Sequence, residues 1–311
     1  MRFFKIFCVA VLLAAPVAAI AAKDVPDSAD WYVYIDLQRM KSEEAGKPLY
    51  DWFNDEVILE VKDEAGIDIE KEVNSLTAFS VRGEGPVIVV EGDFTTETKD
   101  KLMAVIAAGG DISPLKASGR TYYRVGDGDG DGEVSYRSDD IDLTLDSLDD
   151  GGWVSLDIKD KILFTGTEAQ MKNLLANKGR VPGPGKGKGA LLVLTAEKTL
   201  LQASMNTGML SDDGSDDIDS KILRNTEQVA FLLAIVADKL AVEAELTTSE
   251  PEMAESLASV ARGLISLAAF DDSMDAEMVA MLQSTKIEAK GNSLNLSLAV
   301  DPGLVVRTIG N

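Results

Sequence analysis

The amino-acid sequence predicts an α+β fold: two similar repeats, each an antiparallel sheet built from hairpins with helices packed on one face. Three observations lead there. Short runs of β-branched and aromatic residues are bounded by turn-forming pairs, the mark of hairpins. Segments with apolar residues at three- and four-residue steps lie between those hairpins, the mark of helices. The same order of elements then occurs a second time along the 311 residues.

In the first half, Trp31 to Leu37 (WYVYIDL) reads as a strand. A helix is expected from Ser42 to Ala65, because Leu49, Trp52, Phe53, Val57 and Val61 recur at helical steps. Leu76–Val81 and Pro86–Phe94 form a hairpin around RGEG, and Thr95 or Thr96 caps a helix carrying Leu102, Val105 and Ile106. Thr121–Val125 and Val134–Tyr136 read as strands beside an acidic loop. Trp153–Ile158 and Lys161–Thr165 make a hairpin turning at Lys159-Asp160, and a helix over Glu168 to Ala176 closes the half.

The second half opens with strand Ala190–Thr195 and a helix near Lys198–Met209. Val229–Val236 and Leu240–Leu246 pair around Asp238-Lys239. A Thr- or Ser-capped helix follows, with Met253, Leu257, Val260, Leu264 and Leu267 expected on one core-facing stripe. Lys286–Ala289 and Leu294–Val300 form the last hairpin, turning at Gly291-Asn292. GDFTTETKDKLMAVIA and AELTTSEPEMAESLASVA match in plan, each a strand running into a capped helix. The resulting division is a signal peptide at 1–22, a first repeat at 23–178, a Gly/Pro/Lys linker at 179–189 and a second repeat at 190–311.

The N-terminus carries the export signature: Arg2 and Lys5, an apolar run from Val9 to Ala19, and small residues at Ala19-Ile20-Ala21. No other segment reaches the roughly 18 uncharged apolar residues that a membrane-spanning helix needs. The expected location is the periplasm, in soluble form. Loss of Arg2 and Lys5 with the signal would move the formal net charge from −23 to −25. So negative a chain is repelled by nucleic acid and by anionic headgroups; cationic partners or divalent ions suit it better.

Chemistry is limited by what is missing. The sequence holds no histidine, and its one cysteine, Cys8, lies in the signal. Ser-His-Asp and Cys-His catalysis, His-based zinc sites and thiol redox pairs are therefore excluded. Ser113-Pro114-Leu115-Lys116 fits S-x-x-K, but without the accompanying S-D-N and K-T-G motifs and with a proline where the serine should start a helix. A carboxylate pair of the glycosidase type survives as a hydrolase alternative, with no pair marked out. GPGKGKG misses the phosphate-loop spacing and reads as linker. Trp31, Trp52 and Trp153 read as core residues ahead of a ligand groove.

One stretch suggests a metal. In GDGDGDGEVSYRS, Asp127, Asp129 and Asp131 stand at positions 1, 3 and 5 of an EF-hand-type loop, with Gly132 at 6, Glu133 at 7 and Ser135 at 9. Ser138 breaks the pattern at position 12, where a bidentate carboxylate is needed; Asp139 could substitute in a longer loop. The flanks read as strand, so this is a DxDxDG turn on a hairpin, expected to bind Ca²⁺ weakly, on the order of 10⁻⁴ to 10⁻³ M. Ten acidic residues between Asp127 and Asp150 face the single Arg137, a concentration of like charge that favours cations. The run SDDGSDDIDS at 211–220 lacks such spacing and reads as a loop.

ADWYVYIDLQRMKSEEAGKPLYDWF (29–53) resembles the opening of exported Gram-negative bacterial proteins of domain-of-unknown-function type. The likeness covers about the first 100 residues, implies periplasmic residence and brings no catalytic residues. The expected function is non-enzymatic: binding of a protein partner or apolar ligand across a sheet or helix face, with Ca²⁺ as the one candidate cofactor. A purely structural envelope role is the other alternative beside the hydrolase.

Overall fold

A computed structural model describes residues 25–26, 29–55, 69–108, 111–126, 152–184, 189–201, 225–268, 270 and 276–304. The fold is α+β with antiparallel sheets. The chain divides into two compact units. One comprises Met1–Tyr32, Ser42–Leu49 and Pro184–Asn311; the other comprises Val33–Lys41 and Tyr50–Gly183. The change from one to the other near residue 183 falls in the Gly/Pro/Lys segment, and strand β1 (Ala29–Asp36) is shared between the units.

The unit that ends at Gly183 contains helices α1 (Leu37–Ser42) and α3 (Ile69–Glu72), strands β2 (Val73–Val81) and β3 (Gly85–Gly92), and helix α4 (Thr96–Ala108). Strands β4 (Ile112–Ala117), β5 (Arg120–Val125), β6 (Gly152–Ser155) and β7 (Lys161–Thr165) follow, then helix α5 (Glu168–Ala176). Helix α2 (Lys47–Phe53) begins in the other unit and ends in this one. The sheet order is β2-β3-β7-β6-β5-β4.

Sequence chemistry accounts for the joints. Val81 pairs with Gly85 across Arg82-Gly83-Glu84, where Gly83 takes a φ of 76° that an L side chain resists. Thr95 caps α4 by accepting the Thr98 amide at 3.1 Å. Helix α5 has a full capping box: Thr167 accepts from the Gln170 amide, and the Gln170 carboxamide accepts from the Thr167 amide. Gln170 also donates to the Gly85 carbonyl at 3.2 Å, which fixes the helix start to the β2–β3 turn. Met171, Leu174 and Leu175 of α5 are buried, at about 2 kcal/mol each for area removed from water. The expected boundaries of α5 hold to the residue.

Over the described part of the helix expected from Ser42 to Ala65 the chain is broken after Ser42, and residues 56–65 lie outside the described residues. Helix α1 ends at Ser42, a turn closes from the Gly46 amide to the Glu43 carbonyl at 2.9 Å, and α2 starts at Lys47. Gly46 and Pro48 explain the break: Gly weakens the helix, and Pro48, which has no amide to bond a carbonyl four residues back, fits only in the first turn of a new helix. Val57 and Val61 lie outside the described residues.

The other unit has strands β8 (Ala190–Glu197), β9 (Thr226–Val236) and β10 (Lys239–Thr248). Helices α6 (Pro251–Ala268) and α7 (Ala276–Ser284) come next, then β11 (Lys286–Lys290) and β12 (Ser293–Val300). The sheet order is β11-β12-β10-β9-β8. The β9–β10 turn is Ala237-Asp238, one residue earlier than expected, with φ of 50° and 62°, the two-residue type that follows strand twist. The last hairpin turns at Gly291-Asn292 as expected. Helix α6 opens on Pro251, which needs no amide partner there, not on a Thr cap. Buried Thr248 instead donates to the Glu250 and Asn292 carbonyls at 2.8 and 2.9 Å, joining the helix start to the β11–β12 turn.

Candidate apolar docking surface

Strand alternation sorts the second sheet into two faces. From the register, Val242 opposes Leu233 and Leu298, and Leu246 opposes Val229 and Leu294. Ile287 opposes Leu296. That face is aliphatic across β9, β10, β12 and β11. The opposite face carries Glu243, Glu245, Asn295, Ser297, Lys286 and Glu288. Helix α6 packs against β10, β11 and β12, whose aliphatic face is the one that needs cover.

The helix seats itself with alanine. Ala254 and Ala258, one turn apart, are its buried residues. Arg262 fixes the next turn by donating to the Ile287 carbonyl at 2.8 Å. The larger residues expected to face the core do not. Val260 is 56%, Leu264 62% and Leu267 66% exposed, while Met253 and Leu257 are half-buried. At about 100° per residue the helix wears an apolar arc of roughly 180°, and the half that faces the sheet is Ala254, Ala258 and Ala261 with half-buried Ile265 among them. Methyl-sized side chains bring the helix axis close, which lifts the bulky half of the arc outward. Phe270, just beyond the helix end at Ala268, is 83% exposed.

The rim of this stripe carries little charge. From Ser256 to Phe270 there is no carboxylate, and Arg262 is the one charge. Ser256, Ser259 and Ser266 donate their hydroxyls to the Glu252, Glu255 and Arg262 carbonyls at 2.7, 2.9 and 2.8 Å. Their polar groups are thus satisfied inside the helix.

Other sequence candidates fare differently. Asp127, Asp129, Asp131, Glu133, Ser135 and Asp139 lie outside the described residues, as does 211–220. The strands that bracket the acidic loop, β5 and β6, are antiparallel neighbours with Val125 opposite Gly152, so the strand reading of the flank TYYRV holds. Among the described residues no group of three acidic side chains is placed to hold a metal ion. Ser113 and Lys116 lie on edge strand β4 three residues apart, hence on opposite faces, which removes the Ser–Lys pair. Trp153 is half-buried, with Tyr122 at 6.2 Å between ring centroids and the Arg124 guanidinium at 5.8 Å; Trp31 and Trp52 are also half-buried.

Two polar groups stand out electrostatically. Burial pushes the Glu243 carboxyl above the ordinary carboxylate range, and neither its Oε2 nor Oδ1 of Asn295 has a hydrogen-bond partner among the described residues. Lys99 Nζ donates to the carbonyls of Leu156, Ile158 and Lys159 at 2.8, 2.7 and 3.2 Å, and desolvation lowers its pKa. Lys99 thereby organises the β6–β7 turn.

Among the described residues no helix is long and apolar enough to cross a membrane. No protein-family model matches the chain, and no curated protein matches it. Two solved structures are similar over most of their length. Crystal form IV of TP0453 has a TM-score of 0.46 and 11% identity, covering 95% of this chain and 96% of that one. Crystal form I of TP0453 has a TM-score of 0.43 and 10% identity, covering 95% and 97%. At those values the likeness carries no functional conclusion for this chain.

Proposed function

We propose that the protein is a non-enzymatic, exported binding protein of the periplasm that docks an apolar partner or ligand on helix α6. The exposed row Val260, Leu264, Leu267 and Phe270 carries this reading, because a soluble surface rarely gathers such residues without use for them. The absence of histidine and of any cysteine beyond Cys8 supports a binding role over catalysis. The N-terminal signature supports export, and the DxDxDG stretch supports weak Ca²⁺ binding at residues 127–139.

The two units are read as diverged repeats. In support, hairpin β2–β3 is followed in its sheet by β7-β6, and hairpin β9–β10 by β12-β11; in each case a helix, α4 or α6, follows the first hairpin. The β4–β5 hairpin is then an insertion in one repeat.

An environment-sensitive anilinonaphthalene probe tests the docking surface. The purified chain should enhance its fluorescence, and Leu264→Ser with Leu267→Ser should remove most of that gain while leaving the far-UV circular dichroism unchanged. Equal enhancement by the double variant would reject α6 as the site.

A further inference from the structure

We infer that the occupant of the α6 stripe is the surface of a lipid bilayer, entered at packing defects between neutral headgroups and not through charge. This rests on the docking reading above and names its partner.

Three observations select a bilayer. The first is area. Val260, Leu264 and Leu267 are three side chains along one edge of α6, with Phe270 just beyond its end, and four side chains fall well short of the roughly 800 Å² per partner that a stable protein interface buries. A bilayer sets no such minimum, because each side chain that reaches the acyl region gains its own transfer free energy. The second is charge. In a chain of 53 acidic and 30 basic residues, the fifteen from Ser256 to Phe270 are free of carboxylates, bounded by Glu255 before and Asp271-Asp272 after, with Arg262 committed to the Ile287 carbonyl. A segment kept clear of negative charge avoids the desolvation that would oppose insertion, yet it offers no cationic row to attract anionic lipid. The third is the polar flank. Ser256, Ser259, Gly263 and Ser266 are small, and the three hydroxyls already bond to carbonyls one turn back. Such a flank loses little when water thins around it.

The arrangement differs from a basic amphipathic helix in a measurable way. Binding here should weaken as anionic lipid is added, because the rest of the chain is repelled, and should change little with salt on neutral vesicles.

Flotation of the full chain with small unilamellar phosphatidylcholine vesicles tests this. The expected result is co-flotation that falls at least about tenfold in the Leu264→Ser/Leu267→Ser variant and stays unchanged in Val105→Ser, an exposed apolar residue of the other unit. Replacing a third of the lipid by phosphatidylglycerol should reduce it further. Equal flotation of wild type and double variant, or stronger binding to the anionic vesicles, overturns the proposal. If the anilinonaphthalene signal maps to Leu264 and Leu267 but vesicles are not bound, the bilayer assignment falls while the docking surface stands. If both are lost, both readings fall. Lipid-free sedimentation showing a dimer that the double variant abolishes would replace the bilayer by a second copy of the chain.

Discussion

A Cβ atom placed on Gly92 would lie 1.9 Å from the carbonyl oxygen of Glu72, so the backbones at the end of β3 and the start of β2 approach as closely as only glycine permits. The same carbonyl accepts the Asp93 amide at 2.8 Å, and the Glu72 carboxylate accepts the hydroxyl of Thr98 at 2.8 Å and the amide of Thr95 at 3.1 Å. Strand, turn and helix start are locked together there. Gly92→Ala should destabilise the protein by at least about 3 kcal/mol, read as a lower urea midpoint with unchanged slope.

Gly263 presents the opposite case. It lies inside helix α6, and nothing would meet a Cβ there within 4 Å. Gly263→Ala should stabilise the protein by about 0.5–1 kcal/mol in the same urea experiment, through a smaller loss of backbone freedom. A loss of stability would show that this stretch is not helical in solution.

Glu243 is held above its ordinary pKa by burial, so folding favours its protonated form. The sign follows: its contribution is most favourable below the unfolded value and is lost as pH rises through the folded one. Glu243→Gln should therefore raise the melting temperature by a few degrees at neutral pH, with the gain shrinking as the pH approaches about 4. A gain that is equal at both pH values would remove burial as the cause.

Tyr122 is buried and donates to Oε1 of Glu168 at 2.7 Å, while Lys172 Nζ lies 3.0 Å from the same oxygen. The tyrosine hydrogen bond, then the lysine, holds the Glu168 carboxyl below its ordinary 4.5. That stabilisation is present above the unfolded pKa and is lost as pH falls through the folded one. In Tyr122→Phe the carboxyl should titrate higher, closer to the ordinary value, in a carbon-detected NMR titration. An unmoved titration would mean that Lys172 alone sets it.

For calcium, isothermal titration into the chelator-treated chain should show a weak site, on the order of 10⁻⁴ to 10⁻³ M, that Asp129→Ala abolishes. Absence of heat, or heat untouched by that substitution, rejects Asp127–Asp139 as a site.

Hairpins and capped helices were the readable part of this sequence, because their signals are local. Glu168–Ala176 announces itself by Thr167 and Gln170, and Gly291-Asn292 fixes the last turn. Strand β4 escaped notice because Pro114 and Lys116 are poor strand formers, and they are tolerated there because β4 is the edge of its sheet order. The break between α1 and α2 lay hidden under a helical period that runs across Gly46. The orientation of α6 is not legible in the sequence for a subtler reason. Periodicity finds an apolar arc but gives equal weight to alanine and leucine, and only the packed sheet shows that Ala254 and Ala258, with half-buried Ile265, hold the inner positions. The docking surface could have been suspected from that same asymmetry, with Ala254, Ala258 and Ala261 on one flank and Val260, Leu264 and Leu267 on the other.

Helix α6 is seated by buried Ala254 and Ala258, half-buried Met253, Leu257, Ala261 and Ile265, and the Arg262 contact, while its bulkiest exposed residues add nothing to the hold. Amide protons of α6 should consequently exchange with solvent well ahead of those in β9 and β10, which sit inside their sheet. Such early exchange would mark α6 as a cover that lifts while the strands beneath it stay paired.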